Sequence, residues 1–223
     1  VAGYHTTVGT SFLGKAPAIE DATIVARMRA AGALLIGKTN MHEIGINVTG
    51  LNPHHGTTRN PYNTDHYTGG SSSGSATAVA AGLVPVALGA DGGGSIRIPA
   101  SFCGVFGLKS SYGRVSEHGA GPLCWCVAHN GTIAGTATDL ALAYAVMAGP
   151  DLRDPNSLHQ PLPTLDDWDK PNLKGLKLGV YWPWFRHADA EVVAACESML
   201  KQFEARGAEI CEIVIPNLEM NRV

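Results

Sequence analysis

The chain has 223 residues, 45% of them hydrophobic and 16% charged, with a formal net charge of −3. That length buries a sizeable core as one domain, and the absence of a long Lys/Arg run argues against nucleic acid as a direct ligand. Apolar runs such as residues 33–36 and 83–88 fall far short of the ~20 residues that span a bilayer.

In chain order, Glu20-Asp21-Ala-Thr puts acidic residues at a helix start, Ile24, Val25 and Met28 form one apolar face, and Gly32 closes the helix. Residues 33–36 read as a short buried strand. The pattern recurs: 75–81 reads as a helix ended by Gly82, and 84–88 as a buried strand. A helical turn follows at 98–102 and a strand at 105–108, whereas 60–67 reads as a turn-rich loop. Residues 150–171 are rich in Pro, Asp and Asn and form a surface connection. Beyond it lies a strand–helix–strand unit: a strand at 176–181, a helix face marked by Val192, Cys196, Met199 and Phe203, and a strand at 209–215. This alternation implies an α/β fold, a mixed sheet covered by helices on both faces. The expected division is 1–149 as the core, 150–175 as the connection and 176–223 as a continuation of the same domain.

The five cysteines are odd in number and lack CxxC spacing, which points to a reduced, intracellular chain, cytoplasmic or on the cytoplasmic side of an internal membrane. Cys124-Trp-Cys126 would point two thiols the same way on a strand, and reads as packed or loop thiols rather than half a metal site. The chain opens with Val1 rather than Met and reads as a piece of a longer protein.

Chemistry concentrates in two Gly/Ser segments, Tyr67-Thr-Gly-Gly-Ser-Ser-Ser-Gly-Ser75 and Gly89-Ala-Asp-Gly-Gly-Gly-Ser-Ile-Arg97. A helix and a returning strand between them bring both loops to one edge of a sheet. Three glycines before Ser95 let the backbone turn several N–H groups toward one point, as an oxyanion hole beside a nucleophile requires. Asp91 and Arg97 flank this loop, either paired beneath it or unrelated. Neither loop is a P-loop or a dinucleotide fingerprint. Gly70-Ser-Ser-Ser-Gly74 matches the GxSxG elbow around Ser72, but the strand that motif needs just before it is missing. None of the nine histidines forms a recognisable Ser-His-Asp set. His54 and His55 sit in a polar loop that could line a site, and His118, His129, His159 and His187 read as surface or capping residues.

The two loops together with Gly32-Ala-Leu-Leu-Ile-Gly-Lys-Thr-Asn40, Cys103-Gly-Val-Phe-Gly-Leu-Lys109 and Tyr112-Gly-Arg-Val115 resemble the amidase signature family. The resemblance runs from Val1 to about Gly149 and more loosely beyond. It implies a Ser-Ser-Lys triad: Ser95 as nucleophile, Ser71 as a proton relay with a cis peptide bond before it, and a lysine base. Implied oxyanion donors are the amides of Gly92, Gly93, Gly94 and Ser95. The family's lysine precedes the stretch equivalent to Val1-Ala-Gly, so it is expected outside this chain; Lys15 and Lys38 do not occupy its place. Asn52-Pro-His-His-Gly-Thr-Thr-Arg-Asn-Pro61 is most similar to plant-type fatty acid amide hydrolases, which implies N-acylethanolamine substrates. Thr is usual at Gly92, and Gly at Ser73, in the A subunit of glutamyl-tRNA amidotransferase. Phe102, Phe106, Leu123 and Trp125 are candidates for acyl-chain contact, with core packing as the alternative. No metal or organic cofactor is implied. The expected partner is a small-molecule amide; a homodimer, and peripheral membrane contact through segments outside the chain, stay open. Two other readings remain: a glutaminase-type component of an amidotransferase, and a non-catalytic scaffold lacking the lysine.

Overall fold

A computed structural model describes residues 1–121, 124–166 and 168–218. The chain forms two compact units, Val1–Leu165 and Asp166–Val223, and the division falls inside the Pro/Asp-rich connection. Among the described residues no helix is long and apolar enough to cross a membrane.

In the first unit, α1 (Thr23–Ala30) begins two residues after the acidic pair, with Ala22 as its N-cap. Asp21 does not cap it: the carboxylate accepts from the Ala2 amide at 2.7 Å and pairs with Arg29 at 2.9 Å. A short hairpin, β1 (Arg59–Asn60) and β2 (Asn63–Tyr67), occupies the stretch expected to be loop. All five residues of β2 are exposed, so no hydrophobic alternation marks the strand. Then come α2 (Ser73–Ala80), β3 (Val86–Asp91), α3 (Arg97–Phe102) and β4 (Phe106–Lys109), each within a few residues of its expected place. The next pair, β5 (His129–Ala134) and α4 (Ala137–Met147), completes the unit.

The sheet order is β3-β5-β4, and β5 pairs antiparallel with both neighbours. Strands β3 and β4 therefore run the same way, joined across β5 by the α3 crossover, and each pairing in this three-stranded sheet is antiparallel. All six residues of β5 are buried, as a central strand covered on both faces must be. Successive residues of β3 divide between two cores: Ala87 packs with Ala76, Val79, Ile96 and Ile133, and Leu88 with Ile24, Val25, Val115 and Met147. Helices α2 and α3 thus serve one face, and α1 and α4 the other.

Residues 33–36 are not a strand. The segment has no ladder partner, and Leu34 and Ile36 are 90% and 73% exposed. Hydrophobicity registers a preference for burial, whereas a strand also needs a pairing edge, and the segment has none.

In the second unit, β6 (Lys177–Val180) pairs in parallel with β7 (Glu209–Glu212), joined by α5 (Trp182–Phe185) and α6 (Ala190–Ala205). This is the expected strand–helix–strand unit with a shorter last strand.

Candidate active site

The second Gly/Ser loop leaves the end of β3 and enters α3, and its geometry is set by Asp91. The carboxylate is fully buried and accepts from the amides of Gly94 (2.7 Å), Ile96 (3.1 Å) and Arg97 (3.2 Å). It also takes two guanidinium bonds from Arg97, both at 2.9 Å. Desolvation pushes the Asp91 carboxyl up, but Arg97 and the three amides outweigh it and hold the group at about 2. The flanking charges are therefore a pair, and they fold the loop back over the strand end. Gly94 takes φ +121°, where a Cβ would come within 2.5 Å of the Ile98 Cδ1 atom, so only glycine fits the bend.

The first loop enters α2, and the Gly70–Ser71 peptide bond is cis. Gly70 lies so close to the Gly50 backbone that a Cβ would meet the Gly50 nitrogen at 2.5 Å. The Ser71 carbonyl accepts from the His42 amide at 3.0 Å, and the Gly74 amide donates to Asn40 O at 2.9 Å. A backbone bond joins the two loops directly: the Ser72 amide donates to Ser95 O at 3.1 Å.

The serine hydroxyls divide sharply. Ser72 Oγ accepts from the Ala90 amide and donates to the Ala90 carbonyl, at 3.2 and 3.3 Å, so it clamps the first loop to β3. Ser73 Oγ bonds Thr58 Oγ1, and Ser75 Oγ donates to Leu88 O and meets Thr39 Oγ1. Ser71 and Ser95 Oγ have no hydrogen-bond partner among the described residues, and both border one cavity of about 390 Å³. The chain folds so that these two free hydroxyls, 24 positions apart in sequence, share one space.

Of the four expected oxyanion donors, Gly94 departs from expectation. Its N–H is committed to Asp91 Oδ1, because the bend that closes the loop turns that amide inward. The amides of Gly92, Gly93 and Ser95 carry no acceptor among the described residues. Gly92 and Gly93 border the cavity with Ser95.

These loops and this sheet are shared with known proteins. The amidase family profile matches residues 1–222. The chain belongs to the amidase family. This amidase-family chain is 48% identical over 207 residues to a fatty acid amide hydrolase of Medicago truncatula, covering 89% of this chain and 34% of that protein. It is 42% identical over 219 residues to the A subunit of the glutamyl-tRNA(Gln) amidotransferase of Chromohalobacter salexigens, covering 98% and 45%. The crystal structure of the corresponding amidotransferase chain from Thermotoga maritima superposes with a TM-score of 0.91 at 34% identity, covering 98% of this chain and 48% of that one. The chain thus spans about a third to a half of the length of the relatives it matches.

The cavity wall of this family member was only partly legible in the sequence. Its apolar side comes from Met41, Ile44, Ile46 and Val48, together with Val127. Ile44 adopts φ +58°, an uncommon conformation for a β-branched residue, held by bonds from its amide to Val8 O (2.8 Å) and from the Gly45 amide to His42 O (2.9 Å). No local motif announces this segment. Phe102, Phe106 and Trp125 do not line the cavity: all three are about half-exposed or more, and Phe102 tilts against Tyr67 at 5.9 Å. Leu123 lies outside the described residues. Cys124 borders the cavity, with its Sγ 3.4 Å from that of Cys126, in a turn rather than a strand.

No histidine bonds to either free serine among the described residues. His54 pairs with Glu43 at 2.9 Å, His55 meets Thr10 O at 3.1 Å and His118 pairs with Glu20 at 3.4 Å. His129 differs from its expected surface role: it lies on β5, is buried, and bonds Glu117 at 2.7 Å. Lys15 donates to Ser11 O on the surface. Lys38 donates to His5 O and borders an adjoining groove that also reaches Ser71; burial lowers its pKa. Among the described residues no group of three or more His, Cys, Asp or Glu side chains is placed to hold a metal ion.

Proposed function

We propose that this chain carries the nucleophile and proton relay of a serine hydrolase for linear carboxylic amides, with fatty acid amides such as N-acylethanolamines as its substrate class. The observation that carries this reading is the pairing of Ser71 and Ser95 as the two uncommitted serine hydroxyls of the paired loops among the described residues, in one cavity beside free backbone amides. The general base is a lysine, by resemblance to the family; to accept a proton near neutral pH it must be neutral, with a pKa lowered by burial. Through Ser71 it withdraws the proton of Ser95, whose oxygen attacks the amide carbonyl. The amides of Gly92, Gly93 and Ser95 receive the developing oxyanion, while Gly94 and Asp91 hold the loop in shape. The C–N bond then breaks as the proton returns through Ser71 to the leaving amine, and water cleaves the acyl-enzyme to acid and free serine. Similarity to the plant fatty acid amide hydrolases and the apolar wall of Ile44, Ile46 and Val48 support an acyl chain as the group held there.

A second reading, glutaminase activity within an amidotransferase, is supported by the amidotransferase relatives, whose identity to the chain is similar. Labelling the intact protein with a fluorophosphonate and mapping the adduct tests the first. The adduct is expected on Ser95, and Ser95→Ala is expected to abolish it and lower kcat by about 10⁴-fold or more. An adduct on Ser72 would overturn the assignment. Turnover of an N-acylethanolamine panel, short aliphatic amides and glutamine separates the substrate readings, glutamine hydrolysis that needs partner subunits favouring the second.

A further inference from the structure

Two carboxylates border the cavity beside Ser95, Asp91 and Glu117. Both oxygens of Asp91 are saturated by three amides and the Arg97 guanidinium. Glu117 is not saturated. Its Oε1 bonds His129 Nδ1 at 2.7 Å, and its Oε2 has no hydrogen-bond partner among the described residues.

This free oxygen belongs to a held side chain. Its partner His129 is buried, stands opposite Asp91 in the β3–β5 ladder and is packed edge-on by Tyr112 at 5.3 Å. The Glu117 amide donates to Asp154 Oδ2 at 2.8 Å, and Asn130 Nδ2 donates to the preceding carbonyl, Ser116 O, at 3.1 Å. Only 18% of the Glu117 side chain is exposed. Burial pushes its carboxyl up, the His129 contact opposes this, Asp154 adds to it and Lys109 opposes it, with a net rise. A carboxylate so poor in donors gains from one more. Apart from these carboxylates, Asn47, Asn130 and the two serines, the rest of the cavity wall is apolar, glycine or cysteine, and a charged acceptor there favours ligands that carry a donor over isosteres that lack one.

We infer that Glu117 is the specificity-determining acceptor for the amine side of the substrate, its Oε2 taking a hydrogen bond from a hydroxyl or ammonium group on the leaving amine while Ile44, Ile46 and Val48 receive the acyl part. The inference rests on the amide-hydrolase reading above and assigns the residue that recognises the amine side of such a substrate.

The test uses the intact protein and three amides of one fatty acid, with 2-hydroxyethyl, 2-aminoethyl and propyl on nitrogen, the last isosteric and without a donor. The expected result is a kcat/KM at least about tenfold above the propyl amide for one or both donor-bearing amides, collapsing toward unity in Glu117→Leu. A carboxylate that only props His129 would lower all three rates together and leave their ratios unchanged, which would overturn the inference. So would wild-type ratios within about twofold of one. Should the leucine variant not fold, Glu117→Gln keeps the shape and is expected to lose the 2-aminoethyl preference and weaken the 2-hydroxyethyl one; unchanged ratios there overturn the inference equally. Hydrolysis with flat ratios sinks the Glu117 assignment alone. No hydrolysis of any of the three, with no fluorophosphonate adduct on Ser95, sinks the underlying reading and this inference with it.

Discussion

Asp91 shapes the second Gly/Ser loop as a buried anion with five donors around it. Its folded pKa of about 2 lies below the ordinary carboxylate value of 3.8, so the charged form is the one the fold prefers. The stabilisation is therefore fully present above about pH 4 and fades as pH falls through about 2. The depression corresponds to about 2 kcal/mol at neutral pH. Asp91→Asn is expected to lose about that much stability at pH 7 and to flatten the acid limb of the unfolding curve, read by urea denaturation across pH 2–7. An unchanged acid limb would show that the pair does not carry it. The sequence left Asp91 and Arg97 either paired or unrelated, because a spacing of six does not say whether the chain between them doubles back. Likewise, which of the adjacent serines 71, 72 and 73 keeps a free hydroxyl depends on partners at Ala90 and Thr58, remote in the chain.

At the scale of elements, β5 decides the sheet. It separates two strands that are consecutive in the chain, and its Ile133 is fully buried among Ala76, Val79, Ile96 and Cys103. Ile133→Ala removes buried methyl groups where strand and helices restrict collapse, so a loss of about 2–5 kcal/mol is expected by chemical denaturation. Because Ile133 does not border the cavity, the residual folded protein should keep its fluorophosphonate reactivity at Ser95. The strand was not read from sequence: His-Asn-Gly-Thr-Ile-Ala has no alternation, since a strand buried on both faces need not show one. Helix α4 was missed for a related reason, its residues being apolar nearly all round, so that no face stands out. By contrast α2, β3, α3 and β4 each carry a local period or a glycine stop and lie within a few residues of their expected places.

For the molecule as a whole, the two Gly/Ser loops should behave as one site despite their separation in sequence. A reversible boronic acid that engages Ser95 is expected at a hundred times its Kd to add about 2.7 kcal/mol to the unfolding free energy of the intact protein. It should slow amide exchange both at 69–75 and at 92–95. Protection of the second loop alone would show that Ser71 is not part of the site.

The family, the two catalytic-looking loops and the alternation of strands and helices were determined by the sequence alone, because they reside in local spacing: glycines where the chain must turn, apolar periods where it must pack. The tertiary structure alone decided which hydroxyls are free, that the Gly94 amide is spent on Asp91, and that Glu117 and the 41–48 segment wall the cavity. Those facts depend on distant groups meeting across a sheet, and hydrogen-bond saturation is a property of such meetings rather than of any run of residues.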